Sequence, residues 1–118
     1  MIGAWNYPVH LSLLPCVGAI SAGNSVLLKM PSNKYTEHTS RVTAELCKKY
    51  MDPKTFRCVE GDRKMTQAVL QPTWDKIFFT GGEYVGKMVA AAAAKNLTPV
   101  AVSNSIFVIY SEMFLRLF

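Results

Sequence analysis

A glycine-bearing turn, a strand-end lysine and an isolated amide are the groups in this chain best suited to chemistry. The sharpest is Phe78-Phe79-Thr80-Gly81-Gly82-Glu83-Tyr84-Val85-Gly86, where an apolar run gives way to a helical pattern. Glycines at such a junction let backbone approach a ligand, and a helix N-terminus offers N–H groups and positive dipole to a phosphate. The outer glycines, Gly81 and Gly86, stand five apart, so this is not the GxGxxG dinucleotide fingerprint. A tight turn plus one glycine for helix–sheet contact explains the spacing equally. Lys29 ends an apolar run, and the carboxyl ends of parallel strands are where α/β sheets hold ligands. It could grip a ribose or phosphate there, or simply reach solvent. Asn6, in Trp5-Asn6-Tyr7-Pro8, is either a helix cap or a donor to a developing oxyanion.

The remaining reactive side chains point to less. Cys16, Cys47 and Cys58 form no CxxC pair and leave an odd thiol, the pattern of a reduced, cytoplasmic protein. Cys16 and Cys47 fall on helical faces and Cys58 in a strand, where a small buried hydrophobe is the default. His10 and His38 lie far apart, and no metal site is expected. The 13 basic residues against 8 acidic ones are scattered, with Lys48-Lys49 and Arg63-Lys64 the adjacent basic pairs. A nucleic-acid surface shows a basic stripe, so none is expected. The apolar tail Ile106–Phe118 carries Glu112 and Arg116 and is shorter than the ~20 residues of a spanning helix, so no transmembrane segment is expected. Val9–Ile20 lacks the basic flank of a secretory signal.

These groups must be positioned by elements that punctuation in the sequence delimits. Pro8 opens a helix with Val9, Leu13, Val17 and Ile20 at helical spacing, and Gly23-Asn24 closes it. Ser25–Lys29 reads as a buried strand, broken at Pro31. A second helix starts near Thr36 with Val42, Leu46 and Tyr50 on its inner face, and Asp52-Pro53 stops it. Phe56–Val59 is a strand, Met65–Leu70 a short helix, Lys76–Phe79 a strand, and Glu83–Lys95 a helix containing five consecutive alanines. Val100–Val102 begins a fourth strand. Strands alternating with helices in 118 residues, half of them hydrophobic, predict one α/β domain with a doubly wound parallel sheet.

Taken together these blocks resemble the aldehyde dehydrogenase superfamily, nearest its fatty-aldehyde (class 3-like) branch. Four segments carry the likeness in order: residues 2–8 around Trp5-Asn6; residues 14–29, from Leu14-Pro15-Cys16 to Lys29; Ile77–Gly81; and residues 85–100, ending in Leu97-Thr98-Pro99-Val100. The resemblance implies an incomplete Rossmann-like NAD(P)-binding domain over residues 1–102, with residues 103–118 an unrelated apolar tail. It implies that Asn6 matches the family's oxyanion-stabilising amide and that Trp5 lies in the segment lining the nicotinamide cleft. Lys29 matches the ribose-binding lysine, Gly61 a glycine near the adenine side, and Gly81, Gly82 and Gly86 the coenzyme-phosphate turn.

The departures bear on activity. The family follows its lysine with a Pro-Ser-Glu-like segment whose Glu grips the ribose, whereas here Lys29-Met30-Pro31-Ser32-Asn33 offers no acid. Gly82 stands where the family usually has Ser. Ser103 falls at the general-base position, where a hydroxyl cannot replace a carboxylate. None of the three cysteines matches the family nucleophile. The expectation is a truncated aldehyde-dehydrogenase-like chain: NAD or NADP bound weakly, and no catalysis of the family's oxidation of aldehyde to carboxylic acid. The alternatives are a non-catalytic module that pairs with a full-length relative, through the alanine-rich face of Glu83–Lys95, and a product without a folded role.

Overall fold

A computed structural model describes residues 1–104; residues 105–118, which hold most of the expected tail, lie outside the described residues. Eight elements follow one another: α1 (His10–Ser21), β1 (Val26–Lys29), α2 (Glu37–Tyr50), β2 (Phe56–Val59), α3 (Arg63–Val69), β3 (Ile77–Gly81), α4 (Glu83–Ala94) and β4 (Val100–Asn104). Each boundary has a local cause. Asp62 caps α3, its side chain accepting from the amides of Lys64 and Met65. Asn33 does the same work ahead of α2, its Oδ1 accepting from the amides of Tyr35 and Thr36 at 2.9 and 3.1 Å. Gly23, at φ +81, turns the chain out of α1, a conformation a side chain resists.

β1 pairs with β2 and β3 with β4, both in parallel. The two pairs are joined by the first residues of the chain. Ile2 bridges Lys29 on one side and Phe79 on the other, both in parallel sense. The strand order is therefore β2-β1-(residues 1–3)-β3-β4. From the centre, the chain winds through α1 to β1 and through α2 to β2 in one direction. It crosses back and winds through α4 to β4 in the other. Right-handed crossovers in opposite directions put α1 and α2 on one face and α3 and α4 on the other. This is the doubly wound parallel sheet that the alternation predicts.

The two apolar cores follow from that winding. Cys16, Val26, Leu28, Met30, Cys47 and Phe56 fill one, and Ile2, Ile77, Phe79, Val89 and Ala93 the other. Met1 packs on the first and Ile2 belongs to the second, as successive residues of a strand must.

Two helix faces differ from the sequence reading. Val42, Leu46 and Tyr50 point outward, and α2 buries Ser40, Thr43 and Cys47 instead. On α1, Val9, Val17 and Ile20 are exposed and Ser12, Pro15 and Cys16 are buried. The reason is close approach: short side chains face the sheet, and Ser40 Oγ donates to the Pro31 carbonyl at 2.7 Å. Pro15 lies inside α1 without ending it.

Candidate functional site at the carboxyl edge of the sheet

Because the strands among the described residues run parallel, the sequence-predicted site residues other than Gly86 are delivered to one edge. Lys29 ends β1, Gly61 lies two residues beyond β2, Gly81 ends β3 and Gly82 follows it. Trp5 and Asn6 follow the central residues 1–3. The winding reverses between residue 2 and β3, and such a switch point opens a crevice between the loops that leave the two strands. The Trp5-Asn6 segment flanks it on one side and the Gly81-Gly82 turn on the other.

Lys29 is 5% exposed. Burial lowers its pKa from the ordinary lysine value, and the nearby Asp62 carboxylate partly opposes that shift. A lysine held this way is a pre-positioned cation and not a solvent-reaching one. Gly61 has φ +144, and a Cβ there would meet Met65 Cβ at 2.7 Å, so both backbone and space require glycine.

Gly82 is the N-cap of α4 and no side chain caps that helix end. A Cβ on Gly82 would meet nothing within 4 Å, so the space over the helix N-terminus is open. Gly81 is different: a Cβ there would lie 2.5 Å from Phe79 Cζ. Gly86, one turn into α4, is buried, and its Cβ would press on Val102 at 3.1 Å. It therefore serves helix–sheet contact, one of the two readings its spacing left open. Glu83, in the first turn, pairs with Lys87 at 2.6 Å.

Asn6 is half-buried and is not the cap of α1, whose N-cap is Val9. Trp5 is 58% exposed, with its ring 6.3 Å from that of Tyr35. An open cleft beyond the carboxyl ends of β1 and β2 is lined by Ser32, Asn33, Lys34, Glu37, Glu60 and Gly61. The search for an acid directly after Lys29 in sequence misses these two carboxylates. Glu60 carries a usable signal, since it directly follows the carboxyl end of β2. Asn33 is occupied in starting α2.

The three thiols are free and gather in the core beneath α1 and α2. Burial pushes Cys16 up to about 11 and Cys58 up to about 12, with Cys47 also raised. Among the described residues no three His, Cys, Asp or Glu side chains gather as a metal site. No helix among them is long and apolar enough to cross a membrane.

Residues 1–109 match the model of the aldehyde dehydrogenase family. The chain belongs to that family. Aldehyde dehydrogenase family 3 member H1 of Arabidopsis thaliana and family 3 member B1 of Mus musculus are each 50% identical to it over 100 residues. Those 100 residues are 85% of this chain and 20 and 21% of the two relatives, so the chain spans about a fifth of their length. A substrate-bound Staphylococcus aureus AldH superposes with TM-score 0.80 at 38% identity, covering 86% of this chain and 22% of that one. A betaine aldehyde dehydrogenase from the same organism, solved with NAD+, superposes with TM-score 0.71 at 30% identity over 86% of this chain and 20% of its own. The aldehyde dehydrogenase chain thus has a partial Rossmann-like, class 3-like α/β fold.

Proposed function

We propose that this aldehyde dehydrogenase chain is a dinucleotide cradle without the family's chemistry: it binds NAD or NADP weakly and does not itself oxidise aldehydes. The observation that carries the reading is the convergence of Lys29, Gly61 and the open Gly82 turn on one sheet edge. The cradle suits an anionic, ribose-bearing ligand. Lys29 supplies a buried cation, Gly82 leaves room at the N–H groups that open α4, and Glu37 and Glu60 offer acceptors to ribose hydroxyls. When bound, the nicotinamide group would supply a hydride acceptor. Asn6 would offer its amide to a developing oxyanion, and Trp5 would border the nicotinamide cleft.

The chain's own residues support the inactive half of the proposal. A nucleophilic cysteine needs thiolate, and here Cys16 and Cys47 are buried and Cys58 half-buried, all three with raised pKa values. Ser103 pairs with Thr80 within the β3–β4 ladder and carries no carboxylate to act as base. Free thiols also suit a cytoplasmic location. Residues 1–102 hold the cradle, and β4 runs on through Ser103 and Asn104, which pair with Thr80 and Gly81, so the sheet extends past the boundary expected at residue 102.

The test is calorimetric titration of the 118-residue chain with NAD+ and NADP+, beside an assay for NADH production from a fatty aldehyde. Weak binding, abolished by Lys29→Met, with no NADH above the no-protein control, is the expected result. Turnover would overturn the inactive reading, and binding indifferent to Lys29 would overturn the cradle.

A further inference from the structure

Three thiols share one apolar core, and two of them touch. Cys16 lies on α1, Cys47 in the last turn of α2, and Cys58 in β2. Side chains alternate along a strand, so Cys58 faces the same way as Phe56, into the core beneath α1 and α2. The Cys58 thiol donates a hydrogen bond to the sulfur of Cys47. Cys16 is engaged elsewhere, its thiol donating to the Ser12 carbonyl at 3.1 Å within its own helix.

The contact requires α2 to lie close to β2, and the inner face of the helix explains how it can. Ser40, Thr43 and Cys47 are all short, so no bulky side chain holds α2 off the sheet. A disulfide needs its two Cα atoms within about 7 Å, a separation that contact between short side chains permits. The two cysteines are also near in sequence, joined through a tight turn in which Thr55 and Phe56 donate to the Asp52 carbonyl. Cys58 is half-buried and Cys47 nearly closed to water, so a small oxidant reaches the pair and a bulky one does not.

We propose that Cys47 and Cys58 are a reversible modification site, at which a hydroperoxide converts the thiol pair into a disulfide that fastens α2 to β2. The Cys58 S–H supports negative charge on Cys47, which makes Cys47 the attacking sulfur. With hydrogen peroxide it takes one oxygen as the O–O bond breaks, giving a Cys47 sulfenic acid and water. Cys58 then attacks that sulfur. The S–O bond breaks, and the Cys58 proton leaves with the hydroxyl as a second water. The two sulfurs lose two electrons and the peroxide gains them. Thiols of a reducing compartment restore the pair, so the bond lasts only while oxidant does. It joins the helix that begins at Glu37 to the strand that leads into Glu60, the two acids lining the open cleft. Burial raises both thiols, so the step is slow near neutral pH and quickens by about tenfold per pH unit with the thiolate fraction.

The test treats the reduced 118-residue chain with hydrogen peroxide at mildly alkaline pH, under native conditions, and counts thiols after unfolding. One titratable thiol of the three is expected to remain, with peptide mapping placing it at Cys16 and linking Cys47 to Cys58. Dithiothreitol is expected to restore all three. Cys16→Ser is expected to form the same bond, and Cys58→Ala to form none. The oxidised chain is expected to have a higher urea midpoint than the reduced one, because the bond closes a loop in the unfolded state. Three intact thiols, a bond to Cys16, a bond between two chains, or sulfinic acid without a disulfide would each overturn the proposal. So would a lowered urea midpoint, which would mean that the bond forms only by distorting the packing of α2 on β2.

Discussion

In the proposed cradle, Lys29 and Gly82 would act on a bound anion by different means, and their substitutions separate those means. Lys29 supplies charge from a site that is almost closed to water, so Lys29→Met removes a cation without opening a hole in the sheet. Gly82 supplies room. With nothing within 4 Å of its would-be Cβ, Gly82→Val leaves the turn intact and covers the helix N-terminus. We expect Gly82→Val to weaken dinucleotide binding by about tenfold, the loss of one or two hydrogen bonds, with Tm nearly unchanged by differential scanning calorimetry. Gly81→Val is the poorer test, since its Cβ would be driven against the Phe79 ring, a core side chain. A large fall in Tm is expected there, and lost binding in that variant would report lost packing. Both glycines are legible in the sequence as one turn; which of them faces open space and which faces the core is not, because that depends on where the Phe79 ring lies.

At the scale of elements, punctuation is readable and orientation is not. Asp62, Gly23 and the Gly81-Gly82 pair mark boundaries through local hydrogen bonds and backbone conformation, which need no knowledge of the rest of the chain. β2 therefore falls at Phe56–Val59 as read, and the other strands shift by no more than two residues at either end. The inner faces of α1 and α2 escape because apolar spacing points to Val42, Leu46 and Tyr50, whereas the sheet accepts the short Ser40, Thr43 and Cys47. The bridging role of Ile2 escapes because a pairing of so few residues carries no period. Two expectations belong here. Asp62→Ala removes the cap of α3 and should cost about 1 kcal/mol in urea unfolding, whereas Asp62→Asn, which keeps the accepting oxygen, should cost little. Glu83→Gln removes a carboxylate from the first turn of α4 and should strengthen anion binding about two- to fivefold at low salt, an effect that about 0.5 M salt largely removes. No change at low salt would place the anion elsewhere than the α4 N-terminus.

Over the whole molecule, the doubly wound sheet brings three cysteines from α1, α2 and β2 into one apolar core, and that placement gives the fold a characteristic dependence on pH. An unfolded cysteine ionises near its ordinary value of 9.0, whereas burial holds Cys58 protonated up to about 12 and Cys16 up to about 11. Between those limits the unfolded chain binds fewer protons than the folded one, so stability falls as pH rises from about 9 towards 12. Lys29 works in the opposite sense. Its folded pKa lies below the ordinary 10.5, so the unfolded chain binds more protons there and stability rises with pH up to that value. The two effects overlap near pH 9–10.5, and single substitutions separate them. Cys58→Ala should flatten the alkaline fall in urea midpoint, because it removes the thiol with the largest upward shift and a charge that Cys16 and Cys47 would otherwise face. Lys29→Met should steepen the net fall, because it removes the opposing rise. A wild-type-like alkaline profile in Cys58→Ala, with midpoints measured at fixed ionic strength, would show that the thiols are not held in the low-polarity core that the winding of the sheet creates.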